Sequence, residues 1–486
     1  MADPIHRSLG GIAYRQNRNL YWLYSADGIC GLEGNSAFKE GPARPSAVSV
    51  GMVAGTSSVS CRRVGVNCRD HAGGETAAGL PRVKVTTSCS GRFHIFDQAR
   101  ALNRYGVLHR LINDYPKWMT RRWGISDDKT VSLVANGLLG RLARVTSRWL
   151  SFQQQSTLVR RHHDWFSRRI AKHLAPDSDI FIGLSSFCLE AIQCARREGI
   201  IAIVDHGSLH MKTEHRLLNE ECERWGFPLA QELPPDWLVD KEDSEFREAD
   251  DIFVLSQAAK RSMVENGVRG EKIFINPCGV DLSIFHKSEK CDRVFRVIQC
   301  GGIHPRKGVH YLIKAFTELK LPNSELWFVG GGIEHSVLRP FIERYRADNI
   351  RFLGPVPQGK LPAVYSQGSL FVLASLADGF GMVVPQAMAC GLPVIVTENV
   401  GAADIVRDGC TGYVVSIRDV EALKQKLLLL YEDHAWLEHM GETAHVHAHE
   451  YLGWEAYGER LVEYLRSRSQ NRAGLRAAKQ PKPLNG

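Results

Sequence analysis

The stretch CGGIHPRKGVHYLIKAF, residues 300–316, joins the end of an apolar run to a glycine turn, two adjacent cations and a helical segment. Glycines let a phosphate group approach the backbone, and the first N–H groups of a helix favour an anion. Arg306 and Lys307 add two positive charges at that point. A Walker A loop is excluded, because its Gly-Lys-Ser/Thr ending is absent. The stretch predicts a phosphate-binding strand–turn–helix unit; a pair of ordinary surface cations is the alternative.

Short apolar runs alternate with helical segments on both sides of this stretch. Such alternation is typical of parallel sheets that are covered by helices on both faces. Because the runs form two series, we predict an α/β chain with two doubly wound, Rossmann-like domains facing each other across a cleft. Ligands bind such sheets at the carboxyl ends of the strands. The runs are RVKVTT (82–87), VLHRLI (107–112), DIFIG (179–183), IAIV (201–204), IFVL (252–255) and IFIN (273–276), then FRVIQC (295–300), ELWFVG (325–330), IRFLG (350–354), LFVLA (370–374) and PVIV (393–396).

These patterns divide the chain into five segments. We expect a low-complexity, disordered leader over 1–80, which holds 12 of the 44 glycines and shows no sustained hydrophobic period. The first domain is expected over 82–275 and the second over 276–450. A helix over 451–467 and a basic, disordered tail over 468–486 follow.

Composition excludes several classes of protein. With 44% hydrophobic and 23% charged residues, the chain is typical of globular proteins. The net charge of +8 is concentrated at residues 117–174, with 12 Lys/Arg against three Asp, so a uniformly basic nucleic-acid binder is not indicated. Twelve cysteines form no CxxC pair, which argues against zinc knuckles and a disulfide framework. A signal pattern and an apolar run of about 18 residues are both absent, so we expect a cytoplasmic protein.

The segment 141–174 distributes apolar residues along helical stripes among many arginines. A helix of this kind can lie on an anionic membrane surface, here as a peripheral contact at the inner face of a membrane. An ordinary amphipathic helix packed on its own domain is the alternative. The stripes are Leu142, Val145, Trp149 and Phe152, and then Val159, Phe166 and Ile170.

A second dense signal is SLADGFGMVVPQAMACGLPVIVT, residues 375–397. Asp378 precedes a Gly-Phe-Gly turn, and Gln386 follows on the helix that the turn begins. Eight residues separate the two side chains, which is about two helical turns. Asp378 and Gln386 are therefore expected to line one side of a pocket.

Together with NPCGVDLSIF (276–285) and GWEAYGERLVEYL (453–465), these stretches resemble family 4 of the retaining, nucleotide-sugar-dependent glycosyltransferases of the GT-B fold. The family pattern has a Lys-Gly after the first strand of its donor domain, then P-S-x-x-E-G-F-G, a second glutamate eight residues on, and A-x-G-x-P-V-I. The resemblance covers about residues 83–467. It implies transfer of a hexose from a nucleotide diphosphate sugar, most often a UDP- or GDP-sugar, to a hydroxyl of a glycan or lipid-linked glycan, with retention of configuration. This is polysaccharide biosynthesis chemistry without a cofactor, since the nucleotide sugar is the donor substrate.

The resemblance also implies which residues meet the donor. Catalytic contributions are expected from Lys307, Asp378 and His206, with His210 the competitor for the histidine of the DHGSLH stretch (205–210). His206 is assigned to positioning and sugar contact. The donor contacts implied are Arg306, Lys307 and the backbone of Gly91, Phe380 and Gly381 for the diphosphate, Gln386 for the ribose and Asp378 for the hexose.

Three positions depart from the family pattern. The first family glutamate is Asp378 here, one methylene shorter, and the second is Gln386, whose amide oxygen accepts a hydrogen bond without a charge. The arginine that usually stands five residues before the family lysine is Gly302. We expect Arg306 to supply that charge and His310, in the same helix, to matter little.

Two other functions compete with sugar transfer. The replacements at Asp378 and Gln386 suit a non-catalytic nucleotide-sugar-binding protein that kept the fold. A nicotinamide oxidoreductase has no support, because FVGGGIEH (328–335) lacks the third glycine of a dinucleotide fingerprint.

The D-x-D spacing of Asp177 and Asp179 matches a metal-binding motif of another glycosyltransferase fold. The pair directly precedes an apolar run in the middle of the first domain. A polar strand entry is the favoured interpretation, and no metal is predicted.

Overall fold

The computed structural model describes residues 83–91, 93–146, 149–228 and 235–479. The expected leader at residues 1–80 lies outside the described residues. Within the described part of the chain, two parallel sheets each carry helices on both faces.

The first sheet has seven strands in the order β3-β2-β1-β4-β5-β6-β7, all parallel. Its central strands β1, β4, β5 and β6 are buried throughout, as expected for apolar runs covered on both faces. The strands are β1 (Val85–Cys89), β2 (Leu108–Asn113), β3 (Thr130–Ser132), β4 (Ile180–Leu184), β5 (Ile201–His206), β6 (Asp251–Val254) and β7 (Ile273–Ile275). The helices are α1 (Ile95–Arg104), α2 (Lys117–Thr120), α3 (Val134–Thr146), α4 (Phe152–His173), α5 (Leu189–Arg197), α6 (Met211–Trp225), α7 (Asp236–Glu248) and α8 (Gln257–Glu265).

The second sheet has six parallel strands in the order β10-β9-β8-β11-β12-β13. Its strands are β8 (Phe295–Cys300), β9 (Ser324–Val329), β10 (Ile350–Gly354), β11 (Leu370–Leu373), β12 (Val394–Thr397) and β13 (Gly412–Val415). The helices are α9 (Val309–Leu319), α10 (Arg339–Arg344), α11 (Leu361–Tyr365), α12 (Val383–Ala389), α13 (Val420–Glu432), α14 (His434–Tyr451) and α15 (Trp454–Lys479).

Strand order reverses between β1 and β4 in the first sheet and between β8 and β11 in the second. A crevice opens at such a switch point, outside the carboxyl ends of the strands. The prediction of two doubly wound, Rossmann-like domains is confirmed. The sequence analysis missed β3 and β13, which are short edge strands of three and four residues.

Helix α15 packs against the first domain. The Gln98 side chain of α1 donates to the Tyr457 hydroxyl at 3.0 Å, and Arg468 donates to Asp251 of β6 at 2.7 Å. The prediction of disorder from residue 468 is wrong, because helix α15 extends to Lys479. Arg468 anchors the extra turns, and the residues after it are mostly good helix formers.

The basic segment divides into two helices of different exposure. Val159, Phe166 and Ile170 of α4 are buried, so this stripe packs on its own domain as an ordinary amphipathic helix does. Leu142 of α3, in contrast, is 56% exposed. The side chains of Val145 and Phe152 lie outside the described ones.

Among the described residues, nine cysteines are present and none forms a disulfide. Burial raises the pKa of Cys300 to about 11 and that of Cys390 to about 12, so both remain thiols at neutral pH. None of the helices in the described ranges is long and apolar enough to cross a membrane.

Candidate functional site

Two cations and a carboxylate meet at the switch point of the second sheet. A turn of 3-10 helix, Pro305–Lys307, connects the end of β8 to α9. Lys307 Nζ donates to the Asp378 carboxylate, and these side chains are 14% and 12% exposed. Burial lowers the pKa of Lys307, an effect that the Asp378 charge opposes. The structure thus brings together two residues that lie 71 positions apart.

Arg306 lies beside this pair and is 8% exposed. Its Nη1 atom donates to the Ala377 carbonyl at 3.0 Å, while its own carbonyl accepts from the Leu376 N–H at 2.8 Å. These bonds fix Arg306 to the loop that precedes Asp378. Both cations implied for a diphosphate therefore stand at one loop.

The Gly-Phe-Gly turn lies where the backbones of the two domains approach each other closely. A Cβ atom on Gly379 would lie 2.0 Å from the Gly207 carbonyl oxygen of the first domain, so this position requires glycine. Gly381 has φ +82°, in the left-handed region that glycine favours. The Phe380 side chain is buried in the core. The turn therefore holds Asp378 at the junction between the domains.

Gln386 lies in the first turn of α12, eight residues after Asp378, and is 2% exposed. Its Oε1 atom is buried and has no hydrogen-bond partner among the described residues. A buried acceptor without a partner is uncommon in folded proteins, because it has lost water without compensation. The position suits an oxygen that accepts from a ligand hydroxyl.

Gly91 stands at the carboxyl end of β1, in the first domain, with φ +83°. Its N–H donates to Asp114 Oδ1 at 3.1 Å, and the Ser90 hydroxyl donates to the other carboxylate oxygen at 2.9 Å. The resemblance assigns the Gly91 N–H to the diphosphate, but here this group donates to a carboxylate of its own domain. No motif in the sequence indicates this Asp114 contact.

His206 ends β5 and is 2% exposed. Its Nε2 atom donates to the Leu209 carbonyl at 3.2 Å, and because a carbonyl only accepts, Nδ1 accepts from the Ser185 hydroxyl at 3.0 Å. Burial lowers the pKa of His206, in keeping with this neutral form. Both ring nitrogens therefore bond within the first domain.

The competitor, His210, forms the N-cap of α6 and is also buried. Its Nδ1 atom accepts from the Lys212 N–H at 3.2 Å, and Nε2 lies 3.1 Å from an Asp243 oxygen. Burial lowers the pKa of His210 to about 4. This histidine holds the start of the helix.

Sequence reasoning missed a third histidine, His94, which follows the turn after β1. His94 Nε2 donates to Asp205 Oδ1 at 2.9 Å, and Gln98 donates to Oδ2 at 2.6 Å. Burial acts to lower the pKa of His94, but the Asp205 charge and hydrogen bond outweigh it and raise that pKa. A Cβ on Gly207 would lie 3.7 Å from His94 Cε1, so this pair borders the turn that meets Gly379.

His310 makes a contact that the sequence did not indicate, and the expectation that its removal costs little activity stays a prediction. His310 is fully buried, and its Nε2 atom donates to Glu221 of the first domain at 2.6 Å. Arg418 Nε donates to the same carboxylate at 2.8 Å. His310 therefore belongs to a buried polar contact between the domains, and its removal leaves a buried carboxylate with fewer partners.

Asp177 and Asp179 lie at the amino end of β4, the edge of the sheet opposite the switch-point crevice. Lys84 donates to both, through Nζ to Asp177 at 2.6 Å and through its N–H to Asp179 at 2.8 Å. In the described part of the chain, no group of three His, Cys, Asp or Glu side chains is arranged to hold a metal ion.

The chain is similar to known glycosyltransferases in the part that carries this site. Residues 282–447 match the family model described as Glycosyl transferases group 1. The GDP-mannose-dependent monoacylated alpha-(1-6)-phosphatidylinositol monomannoside mannosyltransferase of Corynebacterium glutamicum is 32% identical over 181 residues, which are 35% of this chain and 47% of that protein. The chain spans about half the length of such curated relatives. Over residues 282–447, in the second domain, the chain is thus similar to the group 1 glycosyl transferases.

Two solved structures share the fold. Sucrose-phosphate synthase from Thermosynechococcus elongatus has a TM-score of 0.61 at 18% identity, over 79% of this chain and 99% of that one. HepE from Anabaena, in complex with UDP and glucose, has a TM-score of 0.55 at 17% identity, over 79% of this chain and 100% of that one. The fold is thus GT-B, as the sequence predicted.

Proposed function

We propose that this protein transfers a hexose from a nucleotide diphosphate sugar to a hydroxyl acceptor with retention of configuration. The observation that carries the proposal is the convergence of Arg306, Lys307 and Asp378 at the switch point of the second sheet. Gln386, on the helix that follows the Asp378 turn, has a buried oxygen without a partner in the described part of the chain. The two cations match a diphosphate, the Asp378 carboxylate matches a sugar, and the neutral Gln386 oxygen matches a ribose.

In the proposed reaction, the bond from the sugar to the diphosphate breaks while negative charge develops on the departing phosphate oxygen. Preorganised cations stabilise such charge, and this is usually the largest single contribution to catalysis. Lys307 is well suited, since Asp378 and its buried surroundings fix its ammonium group. Gln386 would accept a hydrogen bond from a ribose hydroxyl, and Asp378 would face the hexose.

His206 has a positioning role in this proposal. Its bond to the Leu209 carbonyl shapes the turn of residues 207–209, which meets Gly379 beside Asp378. A sugar contact by the ring would require one of its two present hydrogen bonds to open.

The donor is proposed to be a UDP- or GDP-sugar and the acceptor a glycan or lipid-linked glycan. The Corynebacterium relative is named for GDP-mannose and a phosphatidylinositol mannoside, and HepE was solved with UDP and glucose. No cofactor is proposed, because Arg306 and Lys307 supply the positive charge that a metal would otherwise provide.

We further propose that the protein contacts an anionic membrane surface from the cytoplasmic side. On α3 and the neighbouring α2, Val134, Leu138 and Trp118 are 45%, 66% and 55% exposed. Residues 117–149 carry seven Lys/Arg against two Asp. Exposed apolar groups among cations are typical of binding to anionic lipid.

Vesicle sedimentation tests this membrane contact. The protein should sediment with vesicles of phosphatidylcholine and phosphatidylglycerol but not with phosphatidylcholine alone, and Leu138→Glu should abolish the effect. Leu429→Glu, at a residue of α13 that is 41% exposed, is the matched control. Equal binding by both variants would contradict the proposed surface.

The function itself is tested with a panel of UDP, GDP and ADP, and of their sugars, in thermal-shift and hydrolysis assays. A glycosyltransferase should bind at least one nucleotide and slowly hydrolyse its sugar in the absence of an acceptor. A non-catalytic binding protein, favoured by the changes at Asp378 and Gln386, would bind without hydrolysis. Failure to bind any member of the panel would refute both.

A further inference from the structure

Glu214 is an acid of the first domain that the sequence analysis did not single out. It lies in the first turn of α6, four residues after the N-cap His210. The Ser208 hydroxyl donates to its carboxylate, which fixes the side chain against the turn that follows β5. The Glu214 side chain is 18% exposed, so it is held in place without being sealed from water.

This carboxylate lies where the two domains meet. Ser208 belongs to the turn that approaches Gly379, since a Cβ on Gly379 would lie 2.5 Å from Ser208 Cα. Glu214 Oε1 lies 4.0 Å from Arg306 Nη1. Glu214 thus stands between the loop of Asp378 and the first of the two proposed diphosphate cations.

Donor binding does not explain a negative charge at this point. Asp378 already supplies one carboxylate there, and a second one adds to the negative charge that a diphosphate on Arg306 and Lys307 would meet. At 4.0 Å, Glu214 and Arg306 form a long ion pair without a hydrogen bond, while Arg306 Nη1 donates to the Ala377 carbonyl. The negative charge of Glu214 also acts to raise the pKa of Lys307.

A carboxylate facing the reacting centre from the opposite domain can instead accept from the other substrate. We infer that Glu214 accepts a hydrogen bond from the attacking hydroxyl of the acceptor and so orients its oxygen toward the sugar. This inference rests on the proposed function.

In this step the bond from the anomeric carbon to the phosphate oxygen breaks, and a bond from that carbon to the acceptor oxygen forms. The hydroxyl proton passes to the departing phosphate oxygen, so the products are the glycoside and the protonated nucleoside diphosphate. Glu214 orients the hydroxyl and ends unprotonated.

Water is the simplest hydroxyl acceptor, so donor hydrolysis tests the inference without knowledge of the natural acceptor. Glu214→Gln keeps an oxygen for Ser208 but removes the charge. Hydrolysis of the UDP- or GDP-sugar that the parent turns over should fall about tenfold or more, in line with the loss of a charge-assisted hydrogen bond. Calorimetric binding of UDP or GDP should stay equal or tighten, because a repelling charge is gone.

Glu223→Gln is the matched control, since Glu223 is an exposed glutamate on the same helix. It should change neither hydrolysis nor binding. If Glu214→Gln lowers thermal stability, Glu214→Asp keeps the charge one methylene further back and should give an intermediate hydrolysis rate with unchanged nucleotide binding.

The outcomes separate the two hypotheses. A parent that hydrolyses its donor while Glu214→Gln keeps the full rate overturns the inference alone. Equal losses of nucleotide binding and hydrolysis also overturn it, because Glu214 would then support the donor site. A parent that neither binds nor hydrolyses any donor overturns the proposed function, and the inference with it.

Discussion

Replacing Gln386 by leucine should affect folding stability and nucleotide binding in opposite directions. The Gln386 Oε1 atom is buried without a partner, and such an acceptor costs about 1–3 kcal/mol. Leucine removes that cost, so the free energy of unfolding should stay equal or rise. If a ribose hydroxyl donates to Oε1, the variant also loses about 1 kcal/mol of binding, or roughly a fivefold rise in Kd.

The assays are urea unfolding and calorimetric titration with UDP, GDP and ADP. The rise in Kd should be similar for every nucleotide that binds, because the ribose is common to all three. Gln155→Leu is the matched control, since Gln155 is equally buried, at 2% exposure, in the first domain. A Gln386→Leu variant that binds all three nucleotides as the parent does would show that Gln386 only packs inside its helix.

Gln386→Glu extends this prediction to pH. A carboxylate at so buried a position should have a raised pKa, so at low pH it is a neutral acid and nucleotide binding stays near that of the parent. As pH rises through that pKa, the charged acceptor should tighten binding by up to about 1–2 kcal/mol. Titrations across a pH series measure the effect, and tightening that grows as pH falls would contradict it.

Three further predictions concern turnover and stability. Lys307→Ala should cost about 2–4 kcal/mol of transition-state stabilisation in donor hydrolysis, whereas Lys314→Ala, at a partly exposed residue of α9, should cost little; equal losses would indicate general damage. Burial raises the pKa of Glu242 from 4.5 to about 8, so between these values the folded state binds a proton that the unfolded state has lost. The stability that this group contributes is therefore complete below pH 4.5 and is lost as pH rises toward 8. The free energy of unfolding of Glu242→Gln, measured with urea, should therefore rise relative to that of the parent by on the order of 1 kcal/mol per pH unit between pH 6 and 8. A difference in unfolding free energy that does not change with pH would argue against this. EDTA should leave turnover unchanged; a loss that Mg²⁺ restores would return Asp177 and Asp179 to consideration as metal ligands.

The hydrophobic pattern was sufficient to predict the two parallel sheets. Central strands such as β5 and β11 are buried on both faces, and that burial requires the continuous apolar runs seen in the sequence. Edge strands have neighbours on one side only and can be short, so β3 and β13 left too weak a pattern. The tail beyond residue 468 was misjudged because a distant contact, between Arg468 and Asp251, leaves no local pattern in the sequence.

The second-domain part of the candidate site was also predictable, because its residues lie in two short motifs around Lys307 and Asp378. Local spacing places such residues at strand ends and helix starts whatever the rest of the chain does. The pairing of Lys307 with Asp378, across 71 positions, follows from the adjacency of β8 and β11.

The sequence by itself therefore determined the fold class, the likeness to sugar transferases and which second-domain residues are proposed for the site. Tertiary structure alone decided what each side chain touches: Asp114 on the Gly91 N–H, Glu221 on His310, and Glu214 beside Arg306. These contacts join residues 23 to 92 positions apart, most of them across two domains. Hydrophobic periodicity records which face of an element is buried, but it carries no information about which distant polar group lies opposite.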